Sequence, residues 1–278
     1  MQFNERIRSY YEITTPGYKN WGTLPEKAGI YALHYGYYPG NEETSHHQSL
    51  RNMTQKIIEA TQIAPGQVVL DAGCGVGEIA FEIATRYPHT QVVGITLLNQ
   101  QARTALEYKE KMQIENTHFL VQDFGSIGFL KDTFDRVIFC ESFCYAQDKR
   151  SVLSEITRVM HHGGLLTIAD GFFTQESLNK DQQRQYEEMK RGWAIPNFIP
   201  VDHFTDFLAE AGFKNISLRN ITQNILPSSE LMMQNAVLKI KVEPEMPELV
   251  RLNREACIAQ HALATSGALG YYLVSAER

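Results

Sequence analysis

From Gln67 to Gly171 short apolar runs alternate with longer stretches in which apolar residues recur every third or fourth position. The runs at 67–73, 91–97, 117–123, 134–142 and 163–171 are unbroken enough to be strands covered on both faces. Between them, 78–87, a stretch ending at Lys111, and 149–160 have helical spacing. Strands joined through helices belong to a parallel sheet, because a parallel partner needs a crossover and the crossover covers a face. The pattern predicts an α/β fold: a doubly wound, mainly parallel seven-stranded sheet with helices on both faces.

Ahead of this core, Leu50, Met53, Ile57, Ile58 and Ala60 define a helix over 49–62 that stops before Pro65-Gly66. Residues 1 to about 50 hold many aromatics among turn residues and read as a helix and loops laid over something else. The rhythm breaks again after Phe172, where a polar helix (175–192) runs into the aromatic and proline stretch GWAIPNFIP. A helix closing on Gly212, a strand over 214–222, a mostly helical region over 224–264 and a strand over 268–278 complete the chain. The expected organisation is an aromatic-rich cap (1–48), a cofactor-binding Rossmann-like core (49–171), a lid insertion with a late core helix and strand (172–235), and a C-terminal helix with closing strand (236–278). The lid is then helical and drawn from three separate segments.

Composition narrows the partners. A net charge of −6 with no basic run gives no pull toward nucleic acid or anionic lipid. No apolar stretch is long enough to cross a bilayer, and MQFNERIRSYYE lacks the apolar centre of a secretory signal, so a cytoplasmic location is expected. Cys74, Cys140, Cys144 and Cys257 have no CxxC spacing, so neither a disulfide nor a zinc site is expected. Oligomeric state is not legible.

The glycines after the first strand then carry the chemistry. A dinucleotide fingerprint needs G-x-G-x-x-G and an acid ending the next strand. Here the third glycine comes one position early (Gly73-x-Gly75-x-Gly77), and the next strand ends Gly94-Ile95-Thr96-Leu97-Leu98. NAD(P) fits poorly. An acid stands instead before the loop, at Asp71.

The order Asp71-x-Gly73-Cys74-Gly75-x-Gly77 resembles the first motif of Rossmann-like S-adenosylmethionine-dependent methyltransferases. Gln122-Asp123-Phe124 and the run from Leu153 to Gly164 match later segments of the same family, and Gly94 to Gln101 resembles the G-I-T-L-S-x-x-Q signature of its sterol, tocopherol and prenyl-diphosphate C-methyltransferase branch, which also holds N-methylating relatives. Leu98 replaces the serine of that signature. Tyr10 to Gly22, Ala32 to Gly40, Cys140-Glu141-Ser142, Gly192 to Phe213 and Ile221 to Ser229 are similar to the same branch, so the resemblance spans nearly the whole chain.

This resemblance implies S-adenosylmethionine as cofactor. Asp71, Gly73, Cys74 and Gly75 would hold its aminocarboxylate, Thr96, Leu97 and Gln101 the ribose, and Asp123 and Phe124 the adenine, with Glu141 also among the cofactor-binding residues. It implies methyl transfer to a small, largely apolar acceptor, with C-methylation of an isoprenoid or terpenoid-type precursor ahead of N-methylation of a small amine or alkaloid. Rings at Tyr11, Tyr18, Trp21, Tyr35, Tyr145, Trp193 and Phe198 are the candidate acceptor walls, since aromatic faces attract a sulfonium and a developing carbocation. C-methylation also leaves a proton to remove, for which Glu141 is the first candidate base and His34 the second, with Tyr145 as a hydrogen-bond donor. The alternatives are that the rings are ordinary packing, Asp123 a turn residue and Glu141 a positioning group. Cys144-Tyr145 stand where some natural-product relatives place histidines, which weighs against histidine-driven O-methylation. A divalent metal enters only for a diphosphate acceptor, for which Arg184, Lys190 and Arg191 would be the candidate basic residues, although a solvated helix face explains them as well. A cofactor-binding protein without turnover is the non-enzyme alternative, and the intact motifs argue against it.

Overall fold

The computed structural model of the protein describes residues 3–27, 29–40 and 43–278. Seven strands, β1 (Val68–Ala72), β2 (Gln91–Thr96), β3 (Thr117–Val121), β4 (Phe134–Cys140), β5 (Met160–Phe173), β6 (Lys214–Asn220) and β7 (Leu269–Glu277), form one sheet in the order β3-β2-β1-β4-β5-β7-β6. All neighbours are parallel except β7, which runs antiparallel to both β5 and β6. The helices are α1 (Phe3–Gly22), α2 (His46–Thr61), α3 (Glu78–Arg86), α4 (Asn99–Met112), α5 (Lys149–Val159), α6 (Lys180–Gly192), α7 (Val201–Glu210), α8 (Thr222–Val242) and α9 (Glu248–Thr265). The expected architecture is therefore present, strand count included.

Period-two geometry sends neighbouring strand residues to opposite faces, and the core divides accordingly. Val69, Val92 and Ile138 pack with Leu50, Met53 and Ile57 of α2 and with Ile79 and Ile83 of α3. Leu70, Val93, Val137 and Phe139 pack with Leu153 and Ile156 of α5 and with Phe204 and Leu208 of α7. Each such side chain, fully buried, contributes about 1.5–3 kcal/mol. Polar caps set where helices begin: the Ser45 side chain accepts from Gln48 N, Asp148 from Ser151 N, and Asn179 forms a capping box with Gln182.

Three details differ from the pattern reading. The N-terminal region begins with a helix running from 3 to 22 straight through Pro16. The strand expected over 214–222 ends at Asn220, and α8 starts at once and contains Pro227. This helix crosses the boundary drawn at 235/236, just as α2 begins ahead of 49. A third cluster, including Phe173, Tyr186, Met189, Phe198, Leu263 and Leu269, joins α6 and α9 to the ends of β5 and β7. α9 packs against α6, α8 and α1, and residues of α1, α8 and α9 share one cavity with Glu141 and Asp170 from the β4 and β5 side.

Candidate active site

β1 delivers Asp71 and then turns sharply. Gly73, Gly75 and Gly77 all have positive φ (+85, +55 and +86°), a conformation that only glycine adopts without strain. Gly73 N and Cys74 N both donate to Ile95 O at 2.9 Å, tying the turn to β2. A Cβ on Gly73 would stand 2.4 Å from Ser142 Cβ, and one on Gly75 2.4 Å from Leu33 Cδ1. Ser142 in turn donates to Ala72 O at 2.6 Å. The Asp71 carboxyl is buried, its Oδ2 has no partner, and burial together with the Glu78 charge pushes it up to about 7. A buried, unpaired carboxyl oxygen beside a bare backbone turn is what an ammonium-bearing amino acid group needs, so this end fits the cofactor that the motif implies.

At the end of β2, Thr96 Oγ1 donates to Gln101 Oε1 at 2.6 Å and accepts from Leu98 N at 3.3 Å, and both side chains are buried. That leaves the Gln101 amide hydrogens free of this bond. Asp123 closes its own turn by accepting from Gly125 N and also accepts from Asn4 Nδ2 on α1, both at 2.8 Å. Leu97, Asp123, Phe124 and Tyr145 line one groove with Ile7 and Asn4 of α1, so α1 covers the far end of the same cleft.

The sheet register creates the centre of the site. Cys140 on β4 pairs with Ala169 on β5, so the next residues on each strand, Glu141 and Asp170, emerge side by side. Glu141 has φ +49°, and its Oε1 accepts from Tyr35 N at 2.7 Å and Tyr271 Oη at 2.9 Å. Burial pushes its carboxyl up to about 7, although the His34 charge pulls the other way. Asp170 accepts from Cys144 N and Gly171 N, both at 2.8 Å, and burial lifts it to about 6.

His34 is engaged at both nitrogens. Nδ1 lies 2.9 Å from Tyr35 O, to which it must donate, and Nε2 lies 3.6 Å from Glu78 Oε2. Burial alone would lower its pKa, but the Glu78 carboxylate outweighs burial and raises it. Glu78, despite burial, is held down at about 2 by His34 and by Lys27, whose Nζ is 3.0 Å away; Thr54 donates to it at 2.9 Å. A histidine beside a buried carboxylate gains basicity from it, and His34 lines the same cavity as Glu141.

Every ring singled out from the sequence lines one cavity: Tyr11, Tyr18 and Trp21 from α1, Tyr35 after it, Tyr145, and Trp193 and Phe198 between α6 and α7. Glu141, His34 and Asp170 line it too. Tyr11 Oη donates to Tyr145 Oη at 3.2 Å, which donates to Trp193 O at 3.3 Å, joining the helical cap to the lid. Among the described residues no lysine or arginine lines this cavity. Arg184, Lys190 and Arg191 sit on the outside of α6, paired with Glu188 (3.0 Å), Glu187 (2.8 Å) and Glu255 (3.9 Å). They are surface ion pairs away from the cavity, as a solvated helix face has them. Asp170, Tyr271 and Glu78 were not anticipated. Asp170 carried a usable signal, since it follows Ala169, where the parallel pairing of β5 with β4 ends, as Glu141 follows Cys140.

A family model described as a methyltransferase domain matches residues 63–212. The chain belongs to the class I S-adenosylmethionine-dependent methyltransferases. This methyltransferase is 30% identical over 260 residues to "O-methyltransferase cnsE" of Penicillium expansum, covering 92% of this chain and 88% of that one. It is also 30% identical over 217 residues to a sterol 24-C-methyltransferase of Eremothecium gossypii, covering 76% of this chain but 55% of that longer protein. Its fold is that of geranyl diphosphate C-methyltransferase from Streptomyces coelicolor A3(2), solved with Mg2+, geranyl diphosphate and S-adenosyl-L-homocysteine, at a TM-score of 0.75 and 19% identity over 100% of this chain and 98% of that one. No described helix of the methyltransferase is long and apolar enough to cross a membrane.

Proposed function

We propose that this methyltransferase methylates a small metabolite whose reacting end is uncharged and apolar, at an unsaturated carbon of an isoprenoid or terpenoid-type precursor, with Glu141 accepting the proton that the acceptor loses. The observation that carries this reading is Glu141 itself. It is a partly buried carboxyl, raised to about 7 by desolvation, in a ring-lined cavity with no lysine or arginine among its described lining residues. A base near neutrality is the most useful at physiological pH, and aromatic faces are the surroundings that a developing carbocation prefers.

Asp71 and the backbone of Gly73, Cys74 and Gly75 would hold the aminocarboxylate of S-adenosylmethionine, Thr96, Leu97 and Gln101 its ribose, and Asp123 and Phe124 its adenine. When bound, the cofactor supplies an electrophilic methyl group on a sulfonium. The chain's own part is to orient the acceptor between the rings of α1 and the α6–α7 connection, to exclude water, and to take up a proton. Glu141 Oε1 already accepts from Tyr35 and Tyr271, which assigns the proton to Oε2. Tyr145 donates to Trp193 O and Tyr271 to Glu141 Oε1, and His34, held by Glu78, favours the ionised form of Glu141 when it is itself protonated. A diphosphate would meet two carboxyls and no lysine or arginine among the described lining residues of this cavity, so the proposed acceptor carries no diphosphate at its reacting end.

Oxygen is the second acceptor atom, favoured by the O-methyltransferase relative; there Glu141 would take a hydroxyl proton. Nitrogen is the third and needs no strong base. A labelled-methyl assay over prenyl and terpenoid alkenes, phenols and amines tests the reading, with the product bond located by NMR. A new C–CH3 bond that is lost in Glu141→Gln supports it. Label on oxygen or nitrogen only would replace carbon as the acceptor, and no transfer to any of the three would overturn the apolar-acceptor reading.

A further inference from the structure

Tyr18, Trp21, Trp193 and Met232 line the ring-lined cavity on one side and a second space on the other, an outer groove of about 330 Å³ between α1, α8 and α9. No aspartate or glutamate is among its described lining residues. Two of its basic groups are committed elsewhere. Lys239 pairs with Glu243 at 2.7 Å. His46, whose pKa burial lowers, donates from Nε2 to Trp21 O at 2.9 Å, and its Nδ1, buried without a partner, is then an acceptor that offers an anion no hydrogen.

Arg254 differs. It projects from α9 beside Gly17 of α1, where a Cβ would stand 3.2 Å from its Nη2, so the absence of a side chain there leaves the guanidinium its place. Its Nε is buried without a hydrogen-bond partner, and Arg254 makes no ion pair among the described residues. The Trp193 indole N–H, at the junction of the two spaces, is also buried, with no acceptor except the weak Cys257 sulfur. Buried donors of this strength normally have partners, and a guanidinium matches a planar oxyanion through two parallel hydrogen bonds.

We infer that this outer groove is a subsite for a carboxylate at the far end of the acceptor, with Arg254 as the group that recognises it. The inference rests on the proposal that the ring-lined cavity takes the apolar, reacting part of the acceptor. The substrate class becomes an apolar acid: a hydrocarbon body reaching past Trp21 and Trp193, with the charged group outside the reaction chamber and away from Glu141 and Asp170.

The test compares farnesoic acid with its methyl ester, which share a body and differ in charge, by calorimetry on the full chain saturated with S-adenosylhomocysteine. The wild type should bind the acid about tenfold more tightly than the ester, as one charge-assisted contact provides. Arg254→Gln should erase that preference while leaving ester and S-adenosylhomocysteine affinities unchanged, and Arg254→Lys should restore part of it. Equal binding of acid and ester by the wild type, or a preference that survives in R254Q, overturns the subsite but leaves the apolar cavity standing. Binding of neither ligand overturns both. Acetate is the last arm: if it competes with the acid in an Arg254-dependent way but not with the ester, and binds as tightly as the acid, the groove is a free-anion site and the acceptor subsite falls.

Discussion

The two ends of the cleft are built by opposite means. At the carboxyl end of β1, seven consecutive residues from Asp71 to Gly77 make the cradle, and most of what they present is backbone. The acceptor cavity draws instead on α1, the segment after it, the turn beyond β4, the α6–α7 connection and β7, and its walls are side chains. A backbone cradle can hold one ligand shape only, whereas a wall of side chains can be altered one residue at a time without disturbing the sheet. On the proposed reading, the methyl donor is fixed at one end while the acceptor is chosen at the other. The difference predicts that substitutions should separate cleanly into those that change cofactor affinity and those that change turnover.

The sharpest separation is expected from Glu141→Gln. Removing a general base costs about 10²–10⁴-fold in turnover, while the affinity for S-adenosylhomocysteine, measured by calorimetry, should stay within about twofold because no atom of the cradle changes. Comparable losses in both would mean that Glu141 belongs to the cofactor end. The reverse pattern is expected for Gly73→Ala. The new Cβ meets Ser142 Cβ at 2.4 Å and the residue is held at φ +85°. Strain of about 1–3 kcal/mol should weaken cofactor binding by roughly ten- to a hundredfold, with acceptor preference unchanged once cofactor is saturating. A shifted acceptor preference would break the division.

The third test uses pH. Asp71, ordinarily at 3.8, and Glu141, ordinarily at 4.5, both stand at about 7 in the fold. Folding therefore favours their protonated forms, and the stability they contribute is fully present below about pH 4 and lost as pH rises through about 7. A cofactor ammonium needs Asp71 ionised. Its affinity should rise with pH, being about tenfold weaker at pH 6 than at pH 8 given a carboxyl at about 7. Asp71→Asn should flatten that dependence. A wild-type affinity independent of pH would exclude Asp71 from the ammonium contact.

The same asymmetry explains what was legible in the sequence. Asp71 to Gly77 is contiguous, so its glycine spacing, together with the missing acid at the end of the next strand, distinguished it from a dinucleotide loop. Glu141 was found because it follows a clear parallel strand. Asp170 satisfies the same rule, but Asp170-Gly171 reads as an ordinary turn until the pairing of Cys140 with Ala169 brings it beside Glu141. Tyr271 lies in a strand buried on both faces, where no alternation marks the side that meets the site. The His34–Glu78–Lys27 cluster joins positions far apart in the chain, and nothing in their spacing announces it. The aromatic residues were visible one by one, but their meeting in a single cavity depends on how α1 and α6 pack on α9.

The smallest expected effect is the most specific. Tyr271 donates to Glu141 Oε1 at 2.9 Å, and this contact lowers the carboxyl against the upward push of burial. Tyr271→Phe keeps the ring that meets Tyr35 edge-on at 6.0 Å, so the cavity wall should survive. What is lost is one hydrogen bond to the ionised carboxylate. The Glu141 pKa should rise and the midpoint of the pH–rate profile should move to the alkaline side of its wild-type position. Turnover at pH 7 should then fall by less than about tenfold and recover at higher pH, since the base is only harder to ionise. A loss of turnover that is equal at every pH would assign Tyr271 to the cavity wall alone. A shifted profile with unchanged cofactor affinity would tie β7, through a single hydroxyl, to the proton chemistry of the acceptor end.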